Sequence, residues 1–149
     1  MTRRKKIVQE IDLIDECELN VRFSEVDSMQ IVWHGNYVKY LEDGRESFGK
    51  KYGIGYMDVY RAGLLTPIVG VNLNYKKPLK YEDKAIIRTR YIDSPAAIIQ
   101  FEYEIVKLPD KVVTLSATTT QAFIDTTGEL ILTLPAFFEK WKKKWGFIK

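Results

Sequence analysis

The chain has 149 residues, 46% hydrophobic and 29% charged, with a formal net charge of +3. That length suits one domain over residues 1–149 with one sizeable core, and so small a charge does not argue for a nucleic-acid partner. A single cysteine and a single histidine exclude an intramolecular disulfide and the familiar zinc sites. No apolar run could span a bilayer and the polar start lacks a signal-peptide core, so a soluble cytoplasmic protein is expected.

In chain order, Glu16–Phe23 alternates, with Cys17, Leu19, Val21 and Phe23 on one side, which predicts a half-buried strand. Cys17 on that face reads as a small buried hydrophobe rather than a nucleophile. After the loop EVDSMQIVW, Asn36 is placed to cap a helix running to about Lys51. Tyr37, Tyr40, Leu41, Gly44, Phe48 and Tyr52 recur at helical spacing and give it one apolar face. Gly44 in that face implies close backbone approach, and Glu42, Arg45, Glu46 and Lys50 fall on the wetter side. A short helical turn fits Tyr56–Ala62. Strands are then predicted over Thr66–Tyr75, Lys84–Ile92, Ala96–Lys107, Val112–Ile124 and Leu130–Thr133, separated by the turn sequences LKYED, DSPA, LPDK and DTTG. Pro135–Lys144 reads as a C-terminal helix or tail outside a core of about residues 16–134.

One long helix beside four or five antiparallel strands is an α+β layout. A single helix cannot cover so wide a sheet, so the exposed edges and surplus aromatics call for a homo-oligomer, a dimer or a tetramer. Basic residues cluster at Arg3–Lys6, Lys76–Lys80 and Lys140–Trp145. The end clusters read as a solvated tail or helix face, and the middle one could meet an anionic ligand.

The chemistry-bearing stretch is Glu25–Tyr37. Asp27 lies between a strand end and a helix start, where a short acidic side chain is either a turn former or a functional carboxylate. The backbone N–H groups of His34, Gly35, Asn36 and Tyr37 are the free, partly positive donors of a helix N-terminus. They could polarise a carbonyl and stabilise the oxyanion of acyl transfer. A carboxylate opposite them could attack an acyl carbon or deprotonate a water. Glu25 either raises the pKa of Asp27 by like-charge repulsion or points away from it.

The segment VRFSEVDSMQIVWHGNYVKYLEDGRESF (residues 21–48) resembles the hot-dog-fold thioesterases of the 4-hydroxybenzoyl-CoA thioesterase and YbgC-like branch. TPIVGVNLNYKKPLKYED (residues 66–83) resembles their second strand and the turn after it. The likeness covers about Glu16 to Leu134. It implies a hot-dog fold, one long central helix wrapped by a five- or six-stranded antiparallel sheet, in a dimer or homotetramer. It implies Asp27 as the catalytic carboxylate, nucleophile or base, and the amide of His34 or a neighbour as the carbonyl-polarising donor. The His34 ring either orients water or the acyl group, or is a packed loop residue. Trp33, Tyr37 and Thr66 would line the substrate site. Lys76, Lys77 and Lys80, and less so Arg88 or Arg90, would face the CoA phosphates, unless they are solvated strand-end side chains. No cofactor is implied, since CoA belongs to the substrate.

Two departures touch substrate identity more than reaction class. Gln30 stands where the family pattern has glycine, and Trp33 is bulkier than the usual Tyr or Phe. A neighbouring branch carries its carboxylate on the helix, where Glu42 and Glu46 are the comparable residues and read as surface glutamates. The expected activity is hydrolysis of acyl-CoA, with acyl-carrier-protein thioesters as the nearest alternative. A hydroxyacyl-thioester dehydratase and a non-catalytic acyl-thioester-binding protein remain as other classes.

Overall fold

The computed structural model describes Val8–Lys149; the Arg3–Lys6 cluster lies outside the described residues. β1 (Ile14–Asn20) leads through a 3-10 turn (Phe23–Glu25) to α1 (Asn36–Tyr52) and the short α2 (Tyr56–Arg61). β2 (Leu64–Leu65), β3 (Ile68–Tyr75), β4 (Lys84–Ile92), β5 (Ile98–Lys107), β6 (Val112–Asp125) and β7 (Leu130–Ile131) follow, and α3 (Ala136–Lys144) closes the chain. All paired strands are antiparallel, in the order β1-β4-β5-β6, and β6 is long enough to carry β3, β2 and β7 beyond that row. Five strands of seven residues or more with one 17-residue helix realise the α+β layout expected from the alternation.

The apolar face of α1 packs on the sheet. Tyr37, Tyr40, Leu41, Gly44 and Phe48 are buried, and Phe48 meets Phe101 of β5 edge-on at 5.0 Å. The close approach expected at Gly44 is present: a Cβ there would stand 2.7 Å from both Ile87 Cγ2 and Thr89 Oγ1 of β4. Two residues expected on the wet side, Arg45 and Glu46, are instead half-buried, because β2 and α2 rise beside that flank of the helix.

β1 begins two residues earlier than the alternation suggests and ends at Asn20, where the 3-10 turn takes over and leaves Phe23 exposed. Its apolar face includes Asp15, which is buried. Cys17 is half-buried, and desolvation, with the Asp15 charge behind it, pushes its thiol pKa up, away from nucleophilic character.

The core extends past residues 16–134. Leu13, Phe138 and Trp141 are buried in it, with Phe138 packed on Phe123 at 5.1 Å and Trp141 on Tyr91 at 5.0 Å. Both indole N–H groups, of Trp141 and Trp145, donate to the Tyr52 carbonyl at 2.8 and 3.1 Å. The last carbonyls of a helix have no partner within it, so α3 supplies one from outside to the end of α1. Lys142, expected on a solvated face, is buried on this helix. It donates to the Ser94 carbonyl at 2.6 Å and pairs with Asp93 at 3.0 Å.

β3 is an edge strand. It pairs with β6 alone among the described strands and exposes Ile68, Val69, Val71 and Tyr75.

Candidate active site

Asp27 sits at the tip of a small hairpin. Val26 bridges Val32, the Asp27 N–H donates to the Ile31 carbonyl at 2.8 Å, and the Gln30 N–H donates to the Asp27 carbonyl at 2.9 Å. This is the bonding of a three-residue hairpin loop closed by a left-handed residue. Gln30 is that residue, with φ of 65°. The conformation that glycine would supply is therefore kept, with glutamine bearing its cost. Asp27 Oδ1 accepts the Met29 N–H at 2.8 Å, so the turn-former role is realised. That bond uses one carboxylate oxygen; Oδ2 has no protein donor among the described residues.

The hairpin is tied to the start of α1. The Trp33 N–H and the Asn36 side-chain amide both donate to the Glu25 carbonyl, each at 2.9 Å. Asn36 is thus not the expected N-cap. Gly35 holds that position without a side-chain bond, and the Asn36 side-chain amide donates instead to the carbonyl across the loop. The Asn36 N–H donates to the Trp33 carbonyl at 2.9 Å, which removes it from the free donors. The His34 and Gly35 amides donate to no protein acceptor among the described residues. The indole of Trp33 lies where a Cβ on Gly35 would be, so a larger residue there would have to displace that half-exposed ring.

Glu25 points away from Asp27. Its carboxylate accepts the Arg22 N–H at 2.8 Å and the Tyr40 hydroxyl at 3.0 Å. Desolvation, reinforced by that carboxylate, pushes the Tyr40 phenol well above its ordinary range. Tyr37 is buried, accepts the Leu79 N–H on its hydroxyl at 3.2 Å, and is likewise raised by burial. The His34 ring is exposed and tilts against Trp33 at 5.0 Å.

Lys80 is drawn to the hairpin by a backbone bridge to Ile31, and the Val32 N–H donates to the Leu79 carbonyl at 2.8 Å. Lys76 and Lys77 follow Tyr75, the last residue of β3, and all three lysines are exposed. Arg90, by contrast, is buried against Asp12 (2.7 Å) and Glu102 (3.6 Å), which makes it a structural cation rather than a phosphate ligand. Arg88 lies on the same strand, 3.9 Å from Glu16.

Thr66 is not brought to Asp27 within the chain. It precedes β3, whose eight residues put about 23 Å between Ile68 and Tyr75. Thr66 instead lines a cavity of about 570 Å³ together with Glu46, Val59, Ile68, Phe101 and Gln121. That size suits a small acyl or aromatic group. Gln121 is buried and donates to the Thr66 carbonyl at 2.8 Å.

A family model described as "Thioesterase-like superfamily" matches residues 21–142. The chain belongs to that superfamily. The match takes in the hairpin, α1, every strand of the sheet except β1 and most of α3 of this thioesterase-like chain. It is 41% identical over 76 residues, 51% of its length, to "Putative acyl-CoA thioesterase YneP" of Bacillus subtilis. It is 32% identical over 110 residues, 74% of its length, to "Acyl-acyl carrier protein thioesterase ATL3, chloroplastic" of Arabidopsis thaliana. The chain spans 55% and 58% of the lengths of these two relatives. Among solved structures, the DHNA-CoA thioesterase from Staphylococcus aureus superposes with a TM-score of 0.80 at 26% identity, covering 90% of this chain and 89% of that one. The hot-dog fold implied by residues 21–48 is thereby shown.

The sequence left Tyr75 unremarked. Its hydroxyl donates to the His34 carbonyl at 2.9 Å and its ring meets Tyr37 edge-on at 5.3 Å. A tyrosine ending an alternating strand was the available signal, but the loop it reaches is 41 residues away.

Proposed function

We propose that the protein is an acyl-CoA thioesterase, hydrolysing an acyl-CoA to the free acid and CoA. The observation that carries this reading is the bonding of the Asp27 hairpin onto the start of α1, which ties the loop bearing a half-buried carboxylate to the turn bearing the unpaired amides of His34 and Gly35. The thioester oxygen would lie on those amides, whose hydrogen bonds strengthen as charge develops in the transition state. Asp27, through its free oxygen, would attack the acyl carbon or take a proton from the attacking water. Trp33, Tyr37 and the His34 ring border this place, and Lys76, Lys77 and Lys80 would meet the phosphates of CoA.

The acyl group would occupy the cavity at Thr66 and Gln121, and this needs a second copy of the chain. Antiparallel pairing of two β3 edges would bring the cavity mouth at Thr66–Ile68 of one subunit to the Tyr75 end of its neighbour. The exposed Val69 and Val71 support such an edge, since unpaired apolar edges are otherwise a liability. We therefore propose at least a homodimer, acting in the cytoplasm; no helix among the described residues is long and apolar enough to cross a membrane. No metal or cofactor is needed for this chemistry.

A second reading, hydrolysis of acyl-carrier-protein thioesters, is favoured by the likeness to the Arabidopsis enzyme and by the exposed lysines, which suit an acidic carrier. Thiol release from a panel of aliphatic and aromatic acyl-CoAs, beside matched acyl-carrier thioesters, tests both. The leading reading expects turnover on at least one acyl-CoA at a kcat/KM above that on its carrier counterpart. The reverse ranking would favour the carrier, and no thiol release from either would refute hydrolysis.

A further inference from the structure

Tyr75 is where three constraints meet. Its backbone pairs with Leu115 of β6, its ring stands edge-on to the buried Tyr37 at 5.3 Å, and its hydroxyl donates to the His34 carbonyl at 2.9 Å. The side chain is about half-exposed, so water could satisfy that hydroxyl and burial does not compel the bond.

The consequence lies on the other side of the peptide. The His34–Gly35 bond is trans, and in a trans peptide the carbonyl and the following N–H point in opposite directions across one rigid plane. Holding the His34 carbonyl toward Tyr75 therefore turns the Gly35 N–H away from it. The preceding plane is set in the same manner, because the Trp33 carbonyl accepts the Asn36 N–H and so directs the His34 N–H out of the helix. Gly35 is in the right-handed helical region (φ −70°, ψ −19°), so this turn extends α1 backward and both amides face as a helix's own first donors do.

The plane would be loose without a tether. Gly35 has no Cβ to restrict rotation, and the Trp33 indole packs where that Cβ would stand. We infer that Tyr75 is a positioning residue for the proposed hydrolysis: its hydroxyl locks the His34–Gly35 peptide so that the Gly35 N–H stands beside the His34 N–H as a second donor to the thioester oxygen. This rests on the thioesterase reading of the same site.

The variant Tyr75→Phe keeps the ring on Tyr37 and removes only the hydroxyl. Outright loss of one oxyanion donor costs about 10²–10³ in kcat, and loosening one should cost less, about 10-fold. Thiol release by the variant should show that fall in kcat with KM within about 2-fold of wild type and an unchanged melting temperature. Infrared spectra of a bound acyl-CoA analogue with CH₂ in place of the thioester sulfur give a second reading. The carbonyl stretch, lowered in the wild type, should move back toward the free value in the variant. A hydrolytic wild type whose Tyr75→Phe form keeps both kcat and the lowered stretch would overturn the inference alone. A wild type that releases no thiol would overturn the hydrolase reading and the inference with it.

Discussion

At the scale of single residues, the site is made by groups that the backbone holds in unusual places. Gln30 supplies a left-handed turn residue, Gly35 yields its Cβ space to an indole, and Glu25 is drawn off Asp27 by Tyr40. The tyrosines give this scale a measurable signature. Burial raises the phenols of Tyr37, Tyr40, Tyr91 and Tyr103 above the ordinary value near 10, Tyr103 to about 12. An acid raised in the folded state binds its proton more tightly there than in the unfolded chain. The stability it contributes is complete below pH about 10 and is lost as pH climbs through the folded value. Four of the nine tyrosines should therefore show phenolate absorbance only above the ordinary phenol range, and the stability they contribute should be lost only above about pH 10. Uniform titration of all nine near pH 10 in the folded protein would contradict the packing described for them.

At the scale of elements, α1 is fixed by how closely it lies on β4. Gly44→Ala gains about 1 kcal/mol of helix propensity but forces a methyl group against Ile87 and Thr89, and overpacking of that kind costs about 1–3 kcal/mol. Urea denaturation should show a net loss of up to about 2 kcal/mol; an increase in stability would mean that the helix can lift from the sheet. This contact was legible in the sequence because periodicity reports an element's own buried face, and Gly44 breaks propensity inside that face. The same is true of the alternation that set β4, β5 and β6 to within a residue or two. What periodicity cannot report is a partner from elsewhere in the chain. Asn36 carries every local mark of a cap, yet the cap position falls to Gly35 and the Asn36 side-chain amide ties α1 to the Glu25 carbonyl. Lys142 sits in a basic run, yet Asp93 and Ser94 draw it inside. Tyr75 is one strand end among several until the His34 carbonyl is placed beside it.

At the scale of the molecule, the described chain leaves two halves of a site apart. Asp27 and the α1 amides lie at the Tyr75 end of β3, and the cavity lies at its Ile68 end. If pairing of two β3 edges unites them, Val69→Lys with Val71→Lys should turn a dimer into a monomer in light scattering after size exclusion. Thiol release should then drop at least 10-fold while the far-ultraviolet circular dichroism is kept. A fully active monomer would show that one chain suffices. The motif in residues 25–37 pointed to the carboxylate and the amides, but the separation of the cavity could not be read from spacing. It depends on β6 running far enough to pair with β3 and then with β2.

The central claim is that Asp27 does chemistry as well as shaping a turn. Asp27→Asn separates these roles, because asparagine keeps the Oδ1 acceptor for the Met29 N–H while losing the charge and basicity. Measured by thiol release on the best acyl-CoA of the panel, the variant should lose at least about 100-fold in kcat. Its melting temperature should stay within a few degrees of wild type. An Asp27→Asn protein that turns over at the wild-type rate would show that the aspartate is only a turn former, and the account of this site would fail.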